Sequence, residues 1–99
     1  MENLEDLKKH VIKEFELDED DTQEIIEDYF DLINESLKEL EDEKNLNHHL
    51  HTLKGASANM GANTMAEFCS NWEKEVKENK DFDILSKITE LKLIVSSFK

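Results

Sequence analysis

Apolar residues recur at spacings of three and four along nearly the whole chain, and no stretch alternates convincingly with a period of two. That spacing places the apolar side chains of each segment on one face of an α-helix. The pattern therefore predicts five helices, joined by short polar segments. Their predicted buried stripes are Leu4, Leu7, Val11 and Phe15 in the first helix; Ile26, Tyr29, Ile33, Leu37 and Leu40, with Phe30 beside them, in the second; Leu46, Leu50, Leu53, Ser57 and Met60 in the third; Met65, Phe68, Cys69, Trp72 and Val76 in the fourth; and Ile84 or Leu85, Ile88, Leu91 and Val95, extended by Phe98, in the fifth.

Polar residues at the ends of these stripes predict the helix boundaries. Asn3 is placed to cap the first helix, which runs to about Phe15. An acidic linker over residues 18–20 precedes the second and longest helix, which begins near Asp21 because Asp21 and Glu24 have capping-box spacing. The third helix is predicted to start at Asn45 or Asn47 and to end at Gly61. The fourth is predicted to start at a Thr64–Glu67 capping box, in competition with Asn63, and to end at Asn79 and Lys80. The fifth is predicted to start at Asp81 or Asp83.

Each predicted helix carries one apolar stripe, so each must bury that stripe against other helices. Short connections make successive long helices antiparallel. The expected fold is all-α: an antiparallel up-and-down four-helix bundle with an additional short N-terminal helix. We expect residues 1–99 to form a single domain, with the core bundle at about 21–98.

The charge balance narrows the possible partners. Twelve basic and 25 acidic residues give a net charge of −13, which repels phosphate backbones and anionic lipid headgroups. Nucleic acid and membranes are therefore not expected as partners, and the N-terminus lacks the pattern of a signal peptide. Cys69 is the single cysteine, so no internal disulfide can form, and we interpret it as a core residue. We expect a cytoplasmic, monomeric protein, and its initiating Met1 favours a free-standing chain over a domain cut from a longer protein.

The candidate chemistry lies on the third helix. With Leu50 and Leu53 inward, His51 is about a quarter turn away from the buried stripe, at its border with solvent. Lys54 and Gly55 follow at three and four residues, so they share a face with His51. Glycine within a helix costs about 1 kcal/mol relative to alanine, which suggests that space is needed beside the imidazole.

A neutral imidazole is a good nucleophile near neutral pH, and the phosphorus–nitrogen bond that it forms is labile. A lysine one turn away can reach the oxygens of a phosphoryl group held on that ring. With only two isolated glycines, the chain has no phosphate-binding glycine loop of the nucleotide-binding type. Together these features favour transient group transfer on His51.

The segment from His51 to Ala62, HTLKGASANMGA, resembles the phosphorylation segment of the histidine-containing phosphotransfer (HPt) family, written HxLKG followed by small residues and a GA turn. Downstream, Phe68-Cys69 with Trp72-Glu73 resembles the family's following helix. The specific match spans about residues 51–73, while the helix pattern agrees over about 22–95. The resemblance implies that His51 is phosphorylated, that Lys54 assists the phosphoryl group, that Gly55 keeps the ring accessible and that Ser57 packs between helices.

The same resemblance implies a phosphorelay carrier without independent turnover. It would accept a phosphoryl group from a receiver-domain aspartate or a histidine kinase and donate it to another receiver. No cofactor of its own is expected, since the Mg²⁺ belongs to the receiver's site. Receivers are expected to dock on apolar surface flanking His51, with Ile12, Leu17 and Ile25 as candidate contacts.

Two further residues could act on the ring of His51. If residues 61–63 form the turn of a helical hairpin, Glu73 lies level with His51, where it could hydrogen-bond the unphosphorylated ring nitrogen or simply be a solvated carboxylate. Lys77, one turn further, could add positive potential. His10 is interpreted as solvent-facing.

Two alternatives to phosphotransfer remain open at the level of sequence. One is an acidic helical interaction module in which His51 is never phosphorylated. The other is a small metal-binding bundle built on His48 and His51.

Overall fold

The computed structural model describes residues 2–42 and 45–98 of the 99-residue chain. Over these residues the regular secondary structure is entirely helical, which confirms the predicted all-α class. The helices are α1 (Leu4–Phe15), α2 (Glu19–Glu41), α3 (Leu46–Asn59), α4 (Asn63–Lys77) and α5 (Ile84–Ser96). No helix within this part of the chain is both long and apolar enough to cross a membrane.

Both α1 and α2 begin at a side-chain cap, but α2 begins earlier than the sequence predicted. The Asn3 side chain accepts a hydrogen bond from the Asp6 N–H, and the Asp6 carboxylate accepts one from the Asn3 N–H, each at 3.0 Å. The predicted start of α2 near Asp21 is wrong, because Asp18 is the N-cap and its Oδ1 accepts from the Asp21 N–H at 2.8 Å. Residues 19–20 therefore belong to the first helical turn, where acidic charge stabilises the positive end of the helix dipole.

The turn between α3 and α4 is closed by a glycine, as predicted. Gly61 has φ of +73°, and the next N–H, of Ala62, donates to the Ser57 carbonyl at 2.9 Å. These are features of a Schellman C-cap. A Cβ on Gly61 would lie 2.5 Å from Cγ of His10, so α1 packs directly on this turn. His10 Nε2 is also 3.1 Å from the Asn59 carbonyl oxygen, so the interpretation of His10 as merely solvent-facing is wrong.

The N-terminus of α4 is capped from a distant part of the chain. The predicted capping box that begins at Thr64 is wrong, as is the competing cap at residue 63, because both residues lie inside the helix. Ala62 occupies the N-cap position and has no side chain to offer. The carboxylate of Glu2 instead accepts from the Thr64 N–H at 2.8 Å and from its hydroxyl at 3.3 Å. The Ser97 hydroxyl donates to the Glu2 carbonyl at 3.0 Å, which links the C-cap of α5 to the residue that caps α4.

One cluster of buried side chains joins the helices. Helix α2 contacts α1, α3 and α5, and α4 contacts α3 and α5. Cys69 is fully buried, as predicted. Phe15, however, is 46% exposed, since it is the last residue of α1, and Ile94 rather than Val95 is buried in α5. The other buried apolar residues are Leu7, Val11, Ile26, Tyr29, Ile33, Leu40, Leu50, Leu53, Met60, Ala62, Met65, Trp72, Ile88, Leu91 and Phe98.

Candidate functional site

The packing of α3 fixes which of its residues reach solvent. Leu50 and Leu53 are completely buried, and they set the rotation of the helix about its axis. The structure accordingly places His51 on the border of the buried stripe, with 71% of its side chain exposed. The imidazole is supported by the bundle on one side and open to an approaching molecule on the other.

Gly55 lies one turn along α3 from His51 and is exposed. A Cβ built at this position would meet no atom of another helix within 4 Å. Packing within the protein therefore gives no reason for a glycine that costs the helix about 1 kcal/mol. Gly55 faces solvent on the same face of α3 as His51, so its missing side chain leaves space for a molecule that approaches from outside.

The carboxylate of Glu73, on α4, is the centre of the polar cluster at His51. Its Oε1 accepts a hydrogen bond from Lys54 Nζ at 2.9 Å and lies 3.8 Å from Lys77 Nζ. Its Oε2 lies 3.4 Å from Nδ1 of His51. The hairpin of α3 and α4 thus brings together His51, Lys54, Glu73 and Lys77. Glu73 lies beside His51, as the hairpin geometry predicted. Lys54 is bound to Glu73 in this structure.

Glu73 is more deeply placed than the sequence suggested, since it is only 5% exposed. Burial alone would favour the neutral acid. The hydrogen bond from Lys54 outweighs that effect and, with the charges of Lys77 and His51, holds the pKa of Glu73 below its ordinary value of 4.5. The site therefore contains a buried, ionised carboxylate in contact with an exposed imidazole.

A hydrogen bond that sequence reasoning missed fixes α3 against α2. The hydroxyls of Tyr29 and Ser57 are 2.6 Å apart, and both residues are buried. Burial raises the pKa of Tyr29 to about 12, so its hydroxyl stays protonated and can act as the donor. A tyrosine on an otherwise apolar stripe was the available signal, because a buried phenol requires a partner.

The other histidines of α3 lie beside the site rather than in it. His48 is exposed, and His49 is half-buried with Nε2 3.9 Å from Oε2 of Glu39. Over residues 2–42 and 45–98, no three His, Cys, Asp or Glu side chains are grouped so that they could hold a metal ion.

An apolar hollow lies between α1, α2 and α3, and the residues that α3 and its C-cap contribute to it follow His51 by five to nine positions. Of the candidate docking residues, Ile25 lines this hollow, Ile12 is 43% exposed and Leu17 is half-buried. The exposed ring of Phe15, which the sequence assigned to the core, is part of its wall. Among the described residues, those that line this hollow are Phe15, Ile25, Asp28, Tyr29, Leu32, Ala56, Asn59 and Met60.

Comparisons with known proteins identify the family of the chain. The family model described as "Hpt domain" matches residues 1–97 of the 99. A search of curated proteins and a search of solved structures each found no match. Because the family model covers nearly the whole chain, including every residue of the cluster around His51, the protein belongs to the Hpt domain family.

Proposed function

We propose that this Hpt domain carries a phosphoryl group on His51 and passes it to or from the aspartate of a receiver domain in a multistep phosphorelay. Membership of the family supports a phosphocarrier role. The observation that carries the assignment to His51 is geometric: an imidazole that is 71% exposed has its Nδ1 3.4 Å from a buried carboxylate. A histidine that merely decorated the surface would need no such partner.

Glu73 selects the nucleophilic nitrogen. A carboxylate only accepts hydrogen bonds, so it favours the tautomer of His51 with the proton on Nδ1. Nε2 then keeps its lone pair and can attack the phosphorus of a receiver's aspartyl phosphate. As the new N–P bond forms, the bond from phosphorus to the aspartate oxygen breaks and the carboxylate leaves. The 3.4 Å contact is longer than an ordinary hydrogen bond, and we expect it to shorten as the ring gains positive charge.

The two lysines around Glu73 supply the opposite charge. Lys54 Nζ and Lys77 Nζ lie 2.9 Å and 3.8 Å from the same carboxylate oxygen. A phosphoryl group on His51 would bring about two further negative charges to an already acidic protein. We propose that Lys54 turns from Glu73 toward the phosphoryl oxygens and that Lys77 then takes over more of the interaction with Glu73.

The surroundings of His51 suit a transfer partner of protein size. Gly55 leaves open space beside the ring, and the apolar hollow offers a surface on which a receiver could dock. We propose that α2 to α5 form an antiparallel up-and-down bundle that holds this face rigid, since α2 contacts α3 and α5 while α4 contacts the same two helices. The transfer would use the receiver's Mg²⁺ and no cofactor of this chain.

Incubation with receiver domains that have been phosphorylated in the presence of Mg²⁺ tests the proposal. We expect acid-labile, alkali-stable label on the wild type and none on His51→Gln. His48→Gln is the matched control, because it removes an exposed histidine one turn away and should leave the label in place. Label that persists in His51→Gln would overturn the assignment. Receiver binding without any label would instead support the acidic interaction module.

A further inference from the structure

Acidic residues form a stripe along α2 on both sides of one apolar side chain. Asp28, Leu32, Glu35 and Glu39 are spaced four, three and four residues apart, which places them along one face of the helix. Asp28 and Leu32 line the apolar hollow. Leu32, Glu35 and Glu39 line a second hollow between α2 and α3. We refer to Asp28, Glu35 and Glu39 as the acidic stripe.

The acidic stripe and the lysines near His51 lie on opposite sides of α3. Lys54 and Lys77 bind Glu73 on the α4 side. Among the described residues that line the two hollows on the α2 side, none is Lys or Arg. Apart from two histidines of α3, of which His49 has its Nε2 3.9 Å from Oε2 of Glu39, no described side chain of these hollows offers the acidic stripe a possible cation. A partner that covers the stripe must therefore supply the compensating charge.

Acidic residues alone would say little in a chain that has 25 of them. The informative feature is that Asp28 lines the apolar hollow, while Glu35 and Glu39 line the second hollow together with residues of α3 on both sides of His51 in the sequence. Phe15 is 46% exposed in the wall of the apolar hollow, and Thr52, which follows His51 in α3, lines the second hollow. An apolar centre with a charged rim is the usual composition of a protein interface, and rim charges set association rate and partner choice.

We propose that the acidic stripe selects among receiver domains: it favours those whose docking face carries Lys or Arg around an apolar centre, and it disfavours those with an acidic face. The inference rests on the proposed phosphotransfer function and adds to it the chemistry of the partner. It needs no contact between the stripe and the reacting atoms, so it predicts an effect on encounter rather than on the chemical step.

Charge reversal with a matched control tests the proposal. The test variant is Asp28→Lys with Glu35→Lys, and the control is Glu67→Lys with Glu90→Lys, which makes the same change in net charge at exposed positions of α4 and α5. The probe is the phosphorylated receiver that labels wild-type His51 fastest, assayed at pH 8 in 50 and 300 mM NaCl. Circular dichroism checks that both variants keep their helical content.

We expect the test variant to lower kcat/KM for transfer by about tenfold in 50 mM NaCl, through KM and with kcat unchanged. The loss should shrink in 300 mM NaCl, where screening shortens the range of charge interactions. A receiver whose basic docking residues are changed to Glu should transfer better to the test variant than to the wild type.

Two negative results are distinguishable. If no receiver labels wild-type His51, the proposed function and this inference both fail. If the wild type is labelled but the test and control variants slow transfer equally, general acidity explains the effect and only the inference is overturned.

Discussion

Replacing Lys54 by Met should destabilise the fold, because it leaves the buried carboxylate of Glu73 without its closest cation. Removing one partner of a buried ion pair costs about 3–5 kcal/mol. Here the side chain of Lys54 is 31% exposed, and Lys77 remains 3.8 Å from the carboxylate, so the loss should be smaller. We expect a decrease of about 2 kcal/mol in the free energy of unfolding, which for a chain of this size lowers Tm by roughly 8–16 °C.

The pH dependence of stability provides the sharper measurement. In the wild type the pKa of Glu73 is lowered, so its stabilising effect is present above the pKa of the unfolded chain and is lost as pH falls through the lower folded value. Without Lys54, burial dominates and raises the pKa of Glu73 above that of the unfolded chain, so in Lys54→Met protonation relieves the unpaired buried charge, and the contribution of Glu73 to stability should rise rather than fall as the pH decreases. Urea unfolding followed by circular dichroism from pH 7 to pH 3 measures both the size and the midpoint of the effect.

Glu73→Gln is the companion variant, since it removes the titrating group and should flatten this part of the pH profile. Lys54→Met combined with Glu73→Gln should be more stable than Lys54→Met alone, because no buried charge is left unpaired. The reasoning would be refuted if Lys54→Met unfolded within about 0.5 kcal/mol of the wild type with the same acid profile.

Three further changes test individual features of the structure. Gly55→Ala should raise the free energy of unfolding, measured by urea denaturation, by about 0.5–1 kcal/mol. Gly55→Gln should instead slow transfer from a receiver by about tenfold with the fold intact. Unchanged transfer in Gly55→Gln would refute the argument that Gly55 keeps the ring of His51 accessible. Glu2→Gln should cost about 1 kcal/mol through the weakened cap of α4, while the exposed control Glu14→Gln should cost nothing measurable. Gly61→Ala should cost about 2 kcal/mol or more from its left-handed φ and the clash with His10, and adding His10→Ala should recover only the part due to the clash.

The helical framework could be predicted from the sequence because each helix buries one face. Burial of a stripe at three- and four-residue spacing is a local property, so the inward positions of Leu50, Leu53 and Trp72 follow from neighbouring residues alone. Helix ends were predicted where the cap is local, as at Asn3 and Asp83. The same local pattern failed at Phe15, because a helix can extend beyond the elements that cover it.

Interactions between distant parts of the chain could not be predicted in this way. The cap of α4 is Glu2, and the ring that packs against Gly61 belongs to His10 on α1. Neither pairing can be predicted from the spacing of neighbouring residues, because the two partners are far apart in the sequence and meet only in the folded bundle. The early start of α2 has a simpler cause: Asp18 competes with Asp21 for the same role, and capping preferences do not rank two aspartates.

The candidate site likewise has a part that local sequence predicts and a part that depends on contacts between helices. His51, Lys54 and Gly55 share one helix, so their adjacency follows from helical geometry. The level of Glu73 could be estimated from the hairpin, but its burial could not, because Glu73 follows the inward Trp72 and the width of the buried face depends on the neighbouring helices. That burial is what converts a surface carboxylate into one that holds Lys54 at 2.9 Å.

The pairing of Lys54 with Glu73 changes the expected role of the lysine. A free surface lysine would lose about 2 kcal/mol of side-chain entropy when it settled on a phosphoryl group. In this protein the contact with Glu73 already restricts Lys54 near the ring of His51. Part of the side-chain entropy of Lys54 is therefore lost when the protein folds, and less remains to be lost when a phosphoryl group arrives. In the proposed transfer, Lys54 would exchange the carboxylate of Glu73 for the phosphoryl group and would already be positioned to do so. Glu73 would serve both steps of that transfer, because it would orient the imidazole before attack and hold the cation that the phosphoryl group needs afterwards.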